Sequence, residues 1–223
     1  MNKLEIACFN VESAQIANEN GADRIELCDR IEVGGTTPNP MDVINTRKFL
    51  SSDLFVMIRP RGGNFVYSNE EFAQMKLNIL QFKSLKVNGF VFGILDENNK
   101  IDIERNTELV NLAKPFPCTF HRAFDKASDF EQALEDVISC GFSTILTSGT
   151  HSNVMDGIDV LKKLVLQAQN RITIMPGGGL RSTNINHIQK VTQATFYHSS
   201  AIIDGSQIAN PEEIFNLKNN LKE

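Results

Sequence analysis

Arg59-Pro60-Arg61-Gly62-Gly63 sets two guanidiniums either side of a proline and follows them with two glycines. A guanidinium presents its N–H donors in a planar fork that matches a carboxylate or phosphate, so Arg59 and Arg61 are candidate anion-binding residues. The proline fixes the turn, and the glycines let backbone approach a ligand closely. An equal alternative pairs these arginines with Glu26 and Glu5 as interior ion pairs. His121, with Asp125 one turn on, and His198 carry imidazoles that titrate near neutral pH and can pass protons. Glu26 adds a carboxylate for the same work. Glu26, Arg59, His121, Asp125 and His198 are therefore the candidate catalytic residues. Each histidine and carboxylate also has a plainer reading, as a hydrogen-bonded pair that does no chemistry. A second anion site is suggested by Gly177-Gly178-Gly179, with Ser148 and Ser199 in neighbouring segments. Backbone N–H groups in the loop after the seventh strand can cradle phosphate in a barrel, and the plainer reading of the glycine run is a flexible tight turn. The sequence has no P-loop, no HExxH, no nucleophile elbow and no lysine at a strand end for a Schiff base.

These residues fall at the ends of short apolar runs. The candidate strands are 4–9, 24–28, 54–59, 89–95, 118–121, 144–147, 171–175 and 195–198, each followed by a helical or helix-like segment. Eight βα repeats spaced by roughly 30 residues imply a parallel sheet with helices outside it. The expected fold is a single α/β domain over 1–223, a (β/α)8 TIM barrel with parallel strands. The main rival is a doubly wound open sheet, which uses the same units. In a barrel, the site lies in the loops after the strands. Alternation along the strands turns Glu5, Glu26, Cys28, Thr119 and His121 inward and Leu4, Ile6, Cys8 and Cys118 outward. The direction of His198 stays open on this argument.

Helix signals agree. Ser68 and Glu71 read as a capping box ahead of Phe72, Met75, Ile79 and Phe82 on one face. Ser128 and Glu131 repeat the pattern ahead of Phe130, Leu134, Val137 and Ile138, with Gly141 as the stop. The last helix opens Asn210-Pro211-Glu212-Glu213, with Ile214, Leu217 and Leu221 on its buried face. The net charge of -5, with no basic tract, argues against nucleic acid as a partner. No apolar run is long enough for a membrane span or a secretory leader, so a cytoplasmic location is expected. Four cysteines at 8, 28, 118 and 140 form no CxxC pair, which disfavours a structural zinc site and a disulfide framework. No organic cofactor is indicated. Barrels often pair as homodimers, and the sequence leaves that state open.

Several strand-end segments resemble the CutC family of copper homeostasis proteins. They are Ala22-Asp23-Arg24-Ile25-Glu26-Leu27-Cys28, Gly34-Gly35-Thr36-Thr37-Pro38 and Ile58-Arg59-Pro60-Arg61-Gly62-Gly63-Asn64-Phe65. Thr119-Phe120-His121-Arg122-Ala123-Phe124-Asp125, Leu146-Thr147-Ser148-Gly149 and His198-Ser199-Ser200-Ala201 complete the set. They recur in one order over nearly the whole chain. The resemblance implies a (β/α)8 barrel and cytoplasmic handling of Cu(I), a soft ion that thiolates suit. It nominates Cys28 and Cys8 as metal ligands, with His121 or His198 as helpers. Two departures stand out: Asn64, where the family more often has Asp, and a short segment after Ala201. The alternative function is a barrel enzyme acting on a small anionic or phosphorylated metabolite at the C-terminal strand ends. There Arg59 and Arg61 would hold the anion, Glu26 and His121 would handle protons, and Gly177–Gly179 with Ser199 would take a phosphate.

Overall fold

The computed structural model describes residues 2–221. Eight parallel strands alternate with eight helices: β1 Lys3–Cys8, α1 Val11–Glu19, β2 Arg24–Leu27, α2 Pro40–Arg47, β3 Asp53–Met57, α3 Asn69–Lys83, β4 Gly89–Phe92, α4 Ile103–Ala113, β5 Cys118–Phe120, α5 Phe130–Cys140, β6 Thr144–Thr147, α6 Ile158–Ala168, β7 Thr173–Pro176, α7 Ile185–Thr192, β8 Phe196–Ser199 and α8 Pro211–Asn220. The sheet runs β7-β6-β5-β4-β3-β2-β1-β8. A parallel bridge between Gly177 and His198 joins its two ends, which gives the (β/α)8 barrel and excludes the open doubly wound sheet. Short 3-10 turns at Ile31–Val33 and Arg122–Lys126 follow β2 and β5.

The strands are buried on both faces because helices cover the outside and side chains fill the inside. Leu4, Ile6, Ile25, Leu27, Leu54 and Val56 join the helices in one continuous outer core. Cys28, Phe55, Met57 and Val91 form a separate interior cluster, and Leu146, Met175 and Phe196 another. Register brings like positions level: Glu5 pairs with Arg24 on one side and with His198 on the other. Phe55 pairs with Gly89, where an added Cβ would lie 2.4 Å from the Phe55 ring. The missing side chain lets Phe55 lie across the N-terminal end of the barrel.

Several apolar runs outlast their strands. The run 54–59 leaves the ladder after Met57, and the Arg59 amide bonds the Thr37 hydroxyl at 2.9 Å. The run 89–95 ends at Phe92, because the Asn106 side chain takes both backbone groups of Ile94, at 3.1 and 2.8 Å. The α3 capping box forms as expected, with Phe72, Met75, Ile79 and Phe82 buried. The expected Ser128 cap of α5 is corrected to Asp129, whose carboxylate accepts from the amides of Glu131 and Gln132. The Ser128 amide instead bonds the Asn99 carbonyl at 2.9 Å. An aspartate carboxylate one position later is the stronger acceptor for exposed N–H groups at a helix start. Gly141 ends α5 in the left-handed conformation, and Asn210 caps α8.

Candidate functional site

The inward faces of β1, β2 and β8 meet in a buried cluster of four ionisable groups. Glu5 is fully enclosed and ion-paired through one oxygen with Arg24. Its other oxygen lies 2.7 Å from Nδ1 of His198, so His198 faces into the barrel. Nε2 of His198 stands 3.9 Å from the Glu26 carboxylate. One donor atom each from Glu5, Glu26 and His198 lies within 4.8 Å of the others. Arg24 is sandwiched below them, its guanidinium 4.0 Å from the Phe55 ring centroid and 4.2 Å from that of Phe196.

The environment divides the two carboxylates. Burial pushes Glu5 up, but Arg24 and His198 outweigh it and hold the carboxyl below its usual range. Burial, reinforced by the charge of Glu5, pushes Glu26 up to about 7. Its Oε1 has no hydrogen-bond partner. Burial drives His198 down, and the hydrogen bond to Glu5 with the charges of Glu26 and Glu5 brings it above the ordinary imidazole range.

The cysteines at 8 and 28 are neighbours through backbone, the Cys28 amide donating to the Cys8 carbonyl at 2.9 Å. Their side chains part company. Cys8 packs in the outer core, its thiol 3.6 Å from the Ile6 carbonyl. Cys28 packs in the interior beside Phe55 and Met57, and its thiol meets the Glu26 carboxylate. Burial first, then Glu26, raises the Cys28 thiol well above its usual range. Cys8 is raised chiefly by burial.

Arg59 reaches back under the β2 loop. Its terminal nitrogens donate to the carbonyls of Val33 and Gly35 at 2.8 Å and of Gly63 at 3.0 Å. It therefore pairs with neither Glu5 nor Glu26. Arg61 turns outward to Glu71 at 2.6 Å and to the Val66 carbonyl at 2.8 Å, tying its loop to the first turn of α3. His121 sits with its ring 4.9 Å from that of Phe65, which also lies under the Arg59 guanidinium. The Ala123 amide donates to Nδ1 of His121 at 3.3 Å, and Nε2 has no partner. Burial and then the Arg59 charge push His121 down to about 3, so the ring is neutral with its proton on Nε2.

Asp125 lies apart from this group, 22 residues before Thr147 in sequence and bonded to it across the β5 and β6 loops. It also accepts from Nε of Arg122 at 2.7 Å, from the Ser148 amide and hydroxyl at 3.0 Å, and from the Thr150 amide at 3.1 Å. The Ser148 hydroxyl is committed to that hub. Gly178 holds φ at +107°, and a Cβ there would lie 2.9 Å from the Arg122 guanidinium carbon. Gly177 donates to the Thr147 carbonyl at 3.0 Å, and the Gly179 carbonyl accepts from Asn184 at 2.9 Å. The Ser199 hydroxyl donates to the Leu180 carbonyl at 2.8 Å. The structure thus brings Glu26, Cys28, Arg59, His121 and His198 around one cavity of about 100 Å³ at the C-terminal mouth. Arg61, Asp125 and Ser148 belong to the loops around it, and Ser199 ends β8.

Glu5 and Arg24 were not among the candidate residues. Alternation already turns Glu5 inward, and the same rule puts Arg24 on the face of Glu26. What sequence could not supply was the register that sets Glu5 between Arg24 and His198.

Comparison with known proteins places this geometry among relatives. The CutC family model matches residues 2–203. The human copper homeostasis protein cutC homolog is 43% identical over 198 residues, covering 89% of this chain and 72% of the human protein. A family protein CutC of Parabacteroides distasonis is 44% identical over 200 residues, covering 89% of this chain and 82% of the relative. The crystal structure of a CutC from Streptococcus agalactiae superposes with a TM-score of 0.86 at 35% identity, covering 91% of this chain and all of that one.

Proposed function

The chain belongs to the CutC family, and from that premise we propose that it is a copper homeostasis protein that binds Cu(I) as cargo at the C-terminal mouth of its barrel. The observation that carries the proposal is the meeting of a thiol, an imidazole and a carboxylate at one cavity: Cys28 and His198 both face Glu26. Thiolate and imidazole nitrogen suit Cu(I), and a carboxylate between them balances its charge. Cys28 is the sulfur placed to serve. Cys8 would reach the cavity only if the end of β1 rotated, because its thiol lies in the outer core. The four cysteines are free, which suits the reducing cytoplasm.

Binding must displace the Cys28 proton, and burial holds that proton tightly. Affinity therefore rises with pH, each ion releasing protons as it enters. The test is an anaerobic Cu(I) titration against a competing chelator. Wild type is expected to bind one ion. Cys28→Ser and His198→Gln are expected to weaken it by about a hundredfold and about tenfold, while Cys8→Ala leaves it unchanged. Binding that survives Cys28→Ser would overturn the assignment.

A further inference from the structure

Arg59 is left unexplained by a copper site. The residue is only 4% exposed, yet its guanidinium forms no ion pair with a carboxylate among the described residues. Three backbone carbonyls solvate it, and its Nε has no partner. A buried charge without a counter-charge is costly, so such groups are normally paired. Nearby, the neutral His121 ring carries an N–H on Nε2 that meets no acceptor, and Oε1 of Glu26 meets no donor. Arg59, His121 and Glu26 all line the mouth cavity, whose other wall is apolar: Phe9, Met57 and Leu146. Arg24 is matched by Glu5 and Arg122 at the rim by Asp125, which leaves Arg59 as the unmatched cation of the cavity wall. The imbalance favours an anion, and about 100 Å³ admits fewer than about ten non-hydrogen atoms.

We propose that this cavity binds a short organic 2-hydroxycarboxylate, its carboxylate set against Arg59 and the Nε2–H of His121, its hydroxyl donating to Glu26, and its carbon body against Met57 and Leu146. Carboxylate is favoured over phosphate because the hydroxyls of Ser148 and Ser199 are already committed to Asp125 and to the Leu180 carbonyl. The inference shares Glu26 and the cavity with the proposed copper site but rests on Arg59 and the Nε2–H of His121, which that site does not use.

The test is isothermal titration calorimetry on the copper-free full chain with lactate, pyruvate, lactamide and inorganic phosphate. Lactate is expected to bind saturably, pyruvate more weakly for want of the hydroxyl, and lactamide and phosphate not at all. Arg59→Gln should lose about tenfold or more of the lactate affinity. Because Arg59 also ties three loops, Ala7→Leu provides a second check: it fills the cavity that Ala7 lines without removing any polar group, and should abolish binding in a chain that still melts cooperatively. Equal binding of lactate and lactamide, tighter binding of phosphate, or lactate binding that survives Ala7→Leu would each overturn the proposal. So would the absence of saturable binding by either carboxylate. A negative result here leaves the copper titration untouched, and the reverse holds too.

Discussion

The two walls of the barrel mouth treat their carboxylates in opposite ways. On the β5–β6 side, Asp125 accepts from Arg122, Thr147, Ser148 and Thr150, and none of these contacts is left open. On the β1–β2–β8 side, Glu26 stands 3.9 Å from His198, with one oxygen that bonds to nothing. Both sit where barrel enzymes place reactive groups. The first is saturated and organises loops; the second is under-bonded and buried, so it carries an energetic penalty that a ligand can relieve. Position in a barrel nominates a residue, and the state of its hydrogen bonds separates scaffold from site.

Four outcomes would break or sharpen this contrast. Asp125→Ala strands several buried donors and should cost about 3–5 kcal/mol by urea denaturation; a loss no larger than for a surface residue would remove the scaffold role. Gly178→Ala sets a methyl against the Arg122 guanidinium at a positive φ, and should cost about 1–3 kcal/mol. Its copper affinity should be unchanged, because it disturbs the saturated wall alone. His121 gives a pH signature. The unfolded imidazole takes a proton near 6.5, whereas the folded one waits until about 3. Between those values the unfolded state binds the extra proton, so stability falls with falling pH, by up to about 1.4 kcal/mol per unit. His121→Gln should show a shallower acid limb in paired denaturation series, and parallel limbs would contradict a neutral folded ring. The smallest effect is expected for Glu26→Gln. Removing a buried, poorly solvated carboxyl should leave stability within about 1 kcal/mol of wild type at neutral pH, while Cu(I) affinity drops. A large destabilisation would make Glu26 another Asp125.

Much of this was legible in the chain. Eight apolar runs with helical stretches between them specify the barrel, and period-two alternation turned Glu26, Cys28 and His121 inward and Cys8 outward, as the structure has them. Alternation works there because each strand has one face against helices and one against the interior. It failed to orient His198, because Phe196 and Tyr197 are both apolar and carry no sign of which face each takes. Strand ends were overrun where a side chain from elsewhere, Thr37 or Asn106, captures backbone groups that a local reading assigns to the ladder. The partners of Arg59 were equally out of reach. Carbonyls of residues 33, 35 and 63 hold it, and backbone acceptors leave no trace in residue type.

The stack of Phe55, Arg24 and Phe196 closes the N-terminal end of the barrel. The molecule is thus a cup and not a conduit. Whatever enters must leave by the rim it came in through, so delivery and collection compete for one doorway. Any ligand of the mouth cavity would therefore exchange through that one opening, one occupant at a time.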